Sequence, residues 1–189
     1  PYEMKPYNFE SENYSKQGYV YEGVTTYLGD LYLLKSGVFS LNSYLKELER
    51  QFQKHFDNQG RFNLSVGDSS FDTWLDGYVS GAPGRKVSIY TEGCLLAFVT
   101  DVRILNATKN KYGLDEVMKR LYFDYALKNK GVSESDYKSD KSFDELVIMC
   151  IDDTCDRKGS LQKDKCFVCK INQITYPLFT PNTWYGNSC

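Results

Sequence analysis

The run Cys94-Leu95-Leu96-Ala97-Phe98-Val99 constrains this chain more than any other feature. It is apolar on every side at helical spacing, so a helix containing it must be covered from several directions. The spacing predicts that helix over residues 89–107. A chain built around one fully buried helix needs other helices or a sheet to cover it. The remaining pattern supplies helices. Leu114, Val117, Met118, Leu121, Tyr122 and Tyr125 keep a helical period. Ser40 can cap a helix over 41–56, where Tyr44, Leu45, Leu48 and Phe52 give the apolar side and Lys46, Glu47, Glu49, Arg50 and Lys54 the polar one. A first long helix is expected over 14–35, stopped by Gly37. Residues 61–88 read as irregular, with one short capped turn at Ser69-Ser70-Phe71-Asp72 ahead of Trp74. Gly131 reads as the stop of the helix after Leu114. Ser133-Glu134-Ser135-Asp136 and Ser142-Phe143-Asp144-Glu145 read as caps of two short helices. The fold class is therefore mainly α.

Two stretches are expected to behave separately. Residues 1–149 form the helical lobe, and 150–189 form a short, irregular, cysteine-rich tail. In the tail, Cys150, Cys155, Cys166 and Cys169 have the spacing C-x4-C…C-x2-C. That spacing suits a zinc knuckle, disulfides or free thiols, and Cys189 is left over. Cys94, inside the apolar run, reads as a small core residue. The net charge of −2 gives no reason to expect nucleic acid or an anionic membrane as partner. No apolar run approaches the roughly 20 residues of a membrane span. The opening Pro1-Tyr2-Glu3-Met4 does not look like a natural start, which leaves the compartment open.

The candidate chemistry lies in the first helix. Glycine inside a helix costs about 1 kcal/mol relative to alanine, yet this helix carries Gly18, Gly23 and Gly29. Gly18, Glu22, Thr25, Thr26 and Gly29 fall on one face, with one carboxylate in its middle. A neighbouring helix could approach such a face closely, and the face is expected to be exposed within this chain. On the residues alone, Glu22 reads either as a solvated carboxylate or as a ligand. The one histidine, His55, reads as a solvated surface residue near a helix C-terminus. Trp74 and Tyr78 suit a cleft or, more commonly, a core. Gly81-Ala82-Pro83-Gly84-Arg85-Lys86 lacks the spacing of a phosphate loop.

The order of several motifs adds to this. Glu22-Gly23-Val24-Thr25-Thr26-Tyr27 is followed by Asp30-Leu31, Ser69-Ser70-Phe71-Asp72-Thr73-Trp74 and Ser88-Ile89-Tyr90-Thr91-Glu92-Gly93. Leu114-Asp115-Glu116-Val117-Met118 and Gly131-Val132-Ser133-Glu134-Ser135-Asp136 come last. Over residues 1–147 this series resembles the glycyl aminopeptidases, a bacterial family of gluzincin zinc peptidases that often carry a PDZ domain. The resemblance implies the helical C-terminal lobe of a thermolysin-like catalytic domain. It implies that Glu22 is the third zinc ligand, beside two histidines of an H-E-x-x-H helix that this sequence does not contain. It implies that Tyr90, in Tyr-x-x-Gly, stabilises an oxyanion; the alternative is a tyrosine packed at the start of the central helix. The implied substrate is a peptide with a small N-terminal residue such as glycine or alanine. The implied partner is the N-terminal part of the same catalytic domain. Zinc is expected in the intact protein and not at Glu22 in this chain alone, which is expected to be inactive. The alternative from another class is a non-catalytic helical interaction module with a zinc- or disulfide-stabilised tail.

Overall fold

The computed structural model of the chain describes residues 1–76 and 82–138. The boundary expected near Met149, the cap at Ser142, Tyr78 and the cysteines of the tail lie outside the described residues. Within them the order is a π-helical turn (Tyr19–Val24) running directly into α1 (Thr25–Lys35), then α2 (Leu41–Asp57), α3 (Val66–Asp76), α4 (Ile89–Ala107), α5 (Leu114–Asp124) and α6 (Glu134–Lys138). Short 3-10 turns lie at Tyr2–Met4, Gln59–Phe62 and Ala126–Lys128. No strand occurs among the described residues, and none of their helices is long and apolar enough to cross a membrane.

Helix α4 is the centre. Twelve of its residues are buried, including Leu95 and Ile104 with no exposed surface. The π-turn, α1, α2, α3 and α5 all pack on it. It begins where the Ser88 hydroxyl accepts from the Thr91 N–H at 3.3 Å, which satisfies one of the orphan donors of the first turn. Helix α2 begins in the same way, with Ser40 accepting from the Ser43 N–H. Gly37, with φ of +81°, ends the α1 segment in a conformation that a residue with a Cβ resists.

Asp101 ties three helices together. Its carboxylate accepts the Tyr27 hydroxyl of α1 at 2.5 Å and the Leu114 N–H of α5 at 2.7 Å. The first helical N–H of α5 is thus capped from α4, since no side chain at Gly113 can do so.

Four sequence expectations need correction. The helical run begins near Gly18, not at Tyr14. Asn13 bonds the backbone of residues 8 and 11, and the Ser15 hydroxyl accepts from the Gln17 N–H. These local bonds compete with helix. Residues 66–76, expected to be mostly irregular, form the eleven-residue helix α3. Its cap is Ser65, whose hydroxyl accepts from the Asp68 N–H, four residues ahead of the expected one. Gly131 does not stop α5. That helix ends at Asp124, and the turn after it closes on Asn129 in the left-handed region. Gly131 instead allows the backbone of Tyr2 to come close, where a Cβ would lie 2.6 Å from the Tyr2 Cα. Finally, His55 is not a surface residue but wholly buried.

Candidate active site

Glu22 sits in the π-turn, a wider coil than the α-helix expected there. Such turns occur mostly as single insertions in α-helices, frequently at functional sites. Two threonines secure its exit. The Thr25 hydroxyl donates to the Tyr21 carbonyl, and the Thr26 hydroxyl donates to the Glu22 carbonyl at 2.8 Å. The entry is secured from α3, where Ser70 accepts the Tyr19 N–H at 3.0 Å and donates its own O–H to the Val66 carbonyl. The neighbouring Ser69 accepts the Val87 N–H, just ahead of α4. Two buried serines of one helix therefore hold the starts of both elements that carry candidate site residues.

Those two elements touch at their backbones. A Cβ on Gly23 would lie 2.2 Å from the Gly93 Cα, and a Cβ on Gly93 would lie 2.2 Å from the Tyr19 carbonyl oxygen. Only two glycines facing each other permit this approach. Tyr90 stands half-buried in the first turn of α4, three residues before Gly93. Glu22, next to Gly23, is also half-buried, and no hydrogen bond or ion pair engages its carboxylate among the described residues. The adjacent Tyr21 feels that charge. Burial raises its pKa above the usual phenol value, and the Glu22 charge adds to the rise.

The small-sided face splits. Gly18 is closed over by Ser70 and Ile89, whose atoms would lie 2.9–3.1 Å from a Cβ there. Glu22 and Thr26 remain partly open, Thr25 is exposed, and nothing lies within 4 Å of a Cβ on Gly29. The expected exposure thus holds from Glu22 onward and fails at Gly18. The wider turn is one cause, because it breaks the α-helical register on which the face was drawn.

Among the described residues no three His, Cys, Asp or Glu side chains come together as a metal site. A zinc site needs three or four donors, and this region offers one carboxylate. Its lack of partners among the described residues leaves that carboxylate available to a centre completed from elsewhere. Cys94 is buried as expected, and burial pushes its thiol pKa up to about 12. Trp74 is 42% exposed, which favours a surface role over the core.

Comparison with known proteins bears on this geometry. The sequence model of the M61 glycyl aminopeptidases matches residues 1–96, which contain the π-turn and the start of α4. The chain belongs to this family. The crystal structure of an aminopeptidase N family protein from Idiomarina loihiensis superposes with a TM-score of 0.68 at 31% identity. It covers 78% of this chain, and this chain covers 24% of it. The M61 chain thus spans about a quarter of that protein's length, and its mainly helical fold agrees with a helical lobe of a peptidase domain. Among curated proteins none matches.

Sequence reasoning missed Glu92 and Asp101, both buried charges of α4, and misplaced His55. A signal for His55 existed. Positions 44, 48, 51, 52 and 55 share one helical stripe, so the apolar side of α2 carries His55 inward.

Proposed function

We propose that this M61 chain is the helical lobe of a zinc aminopeptidase and that Glu22 is a metal ligand. The observation that carries the reading is the Glu22 carboxylate itself. It is half-buried on a π-turn, locked in place by backbone contact with α4, and free of partners among the described residues. A carboxylate held so firmly and left unpaired suits coordination better than it suits stability. Bound zinc would supply a water of lowered pKa and polarisation of a peptide carbonyl. The chain's own part is to place the anionic donor of Glu22 and to present Tyr90. The Tyr90 phenol would donate to the oxygen of the scissile carbonyl as negative charge develops there. The two histidines and the general base belong to an H-E-x-x-H segment outside this sequence. The substrate is a peptide with a free, small N-terminal residue.

The test uses the protein that joins this lobe to its histidine-bearing part. Glu22→Gln should lower zinc affinity by more than the roughly 10–100-fold that loss of an outer-shell partner costs. Hydrolysis of glycyl p-nitroanilide should fall with it. Full zinc stoichiometry and unchanged turnover in Glu22→Gln would reject the assignment. The 189-residue chain alone is expected to show no chelator-sensitive turnover.

A further inference from the structure

One buried polar pair lies behind this site and has no part in the chemistry described above. His55 of α2 has no exposed surface, and Glu92 of α4 is 5% exposed. The His55 Nδ1 lies 2.8 Å from Glu92 Oε2 and 3.0 Å from Oε1. Nδ1 donates to the carboxylate whether the ring is neutral or charged. The other ring nitrogen, Nε2, has no hydrogen-bond partner among the described residues. Arg61 stands nearby; its guanidinium donates to the carbonyls of His55, Phe56 and Asn58 and feels an attraction to Glu92.

Such a pair is a poor device for stability. Removing two polar groups from water costs several kcal/mol, and a pair of well-packed apolar residues usually serves as well or better. The pair has one property that an apolar contact lacks, namely direction. A carboxylate gripped by both oxygens fixes the rotation of its helix turn. Glu92 lies two residues after Tyr90 and one before Gly93, so the gripped turn is the one that presents Tyr90 and abuts the Glu22 turn. Residues two apart on a helix point to nearly opposite sides, so Glu92 acts on Tyr90 only through the backbone. The anchors of this turn come from three sides: the Ser88 cap, the Gly93 contact with the π-turn, and His55 from α2.

We propose that His55 and Glu92 are positioning residues, which set the rotation of the first turn of α4 and thereby aim Tyr90 at the reacting carbonyl. This rests on the role assigned to Tyr90 above. The discriminating variant replaces both partners with apolar residues, His55→Phe with Glu92→Met, in the protein joined to its histidine-bearing part. Zinc content, melting temperature, kcat and KM for glycyl p-nitroanilide are measured. The fold should hold. The kcat should fall about tenfold or more with KM within about twofold, because a small misplacement costs turnover and not ground-state binding. A stable, zinc-loaded double variant with wild-type kcat overturns the proposal. If the double variant does not fold, Glu92→Gln and Glu92→Ala take its place; the glutamine amide keeps an acceptor oxygen for the His55 Nδ1–H, and alanine keeps none. Glu92→Gln should then keep more kcat than Glu92→Ala at equal zinc content, and equal kcat in the two overturns the proposal. Amide exchange in the 189-residue chain separates this inference from the assignment of the site. The variant should lose protection at residues 90–93 relative to 117–121 of α5, whether or not the wild-type protein hydrolyses peptides. If the wild type shows no turnover, the aminopeptidase reading fails, and unchanged protection at 90–93 then overturns the positioning role as well.

Discussion

Replacing Gly23 by alanine tests the contact on which the site is built. The added Cβ would meet the Gly93 Cα at 2.2 Å, the Gly93 carbonyl carbon at 2.3 Å and the Cys94 nitrogen at 2.8 Å. All three are backbone atoms of α4, so no side chain can rotate aside. Ordinary carbon–carbon contact is about 3.5 Å; the two elements would have to part by roughly 1.3 Å. That movement loosens Tyr19, Val20 and Val24, which are all buried on the π-turn. Forced overpacking costs about 3 kcal/mol at the upper end of its usual range. Alanine's helical preference returns about 1 kcal/mol. The net expectation is a loss of about 2 kcal/mol, or roughly 6 °C in melting temperature for a chain of this length. Gly29→Ala is the internal control. It lies in the same helical run with nothing within 4 Å of the new Cβ and no positive φ, so it should gain about 0.5–1 kcal/mol. Urea and thermal denaturation of the 189-residue chain read both. If Gly23→Ala is neutral or stabilising, or if the two variants shift in the same direction, the close approach of the π-turn to α4 is wrong.

Asp101→Ala should cost about 3 kcal/mol in denaturant titrations, because it strands the Tyr27 hydroxyl and the Leu114 N–H together; a loss under 1 kcal/mol would contradict the node. Tyr27 carries a pKa raised first by burial and then by its bond to Asp101, and burial also raises Tyr44. Above about pH 10 the unfolded chain releases these phenol protons while the folded chain keeps them. The associated stability is therefore full below pH 10 and lost as pH rises beyond it, and Tyr27→Phe should flatten that alkaline slope in urea titrations at pH 9–11.5. Cys94, with its thiol pushed up to about 12, should resist iodoacetamide in the native chain at pH 8 and react once urea unfolds it. Peptide mapping that found Cys94 alkylated in the native state would count against its burial.

Helices α2, α4 and α5 were legible because each carries its own signal. Ser40 stands ahead of a clean polar and apolar division. The run through Cys94–Val99 demands burial, and Leu114, Val117 and Leu121 repeat at one helical face. Helix α3 was not legible. Its polar residues, Ser69, Ser70 and Thr73, satisfy backbone groups instead of forming an apolar stripe, and the glycines that follow suggest a loop. Yet α3 holds the starts of both site-bearing elements. The motif order pointed to Glu22 and Tyr90, whereas nothing local revealed that the segment around Glu22 is a π-turn. Gly23 lies within that turn, and its close contact with Gly93 of α4 is made only by the folded packing.

What the amino-acid order determined by itself is helices α2, α4 and α5, the buried identity of α4 and membership of the M61 family, because periodicity, capping and motif succession act over a few residues at a time. What only the tertiary structure decided is how those parts face one another: the glycine contact, the Asp101 node and the burial of His55 against Glu92. Those depend on residues 13 to 74 positions apart in the chain, and a charge or a glycine acquires its meaning from the atoms that folding brings against it.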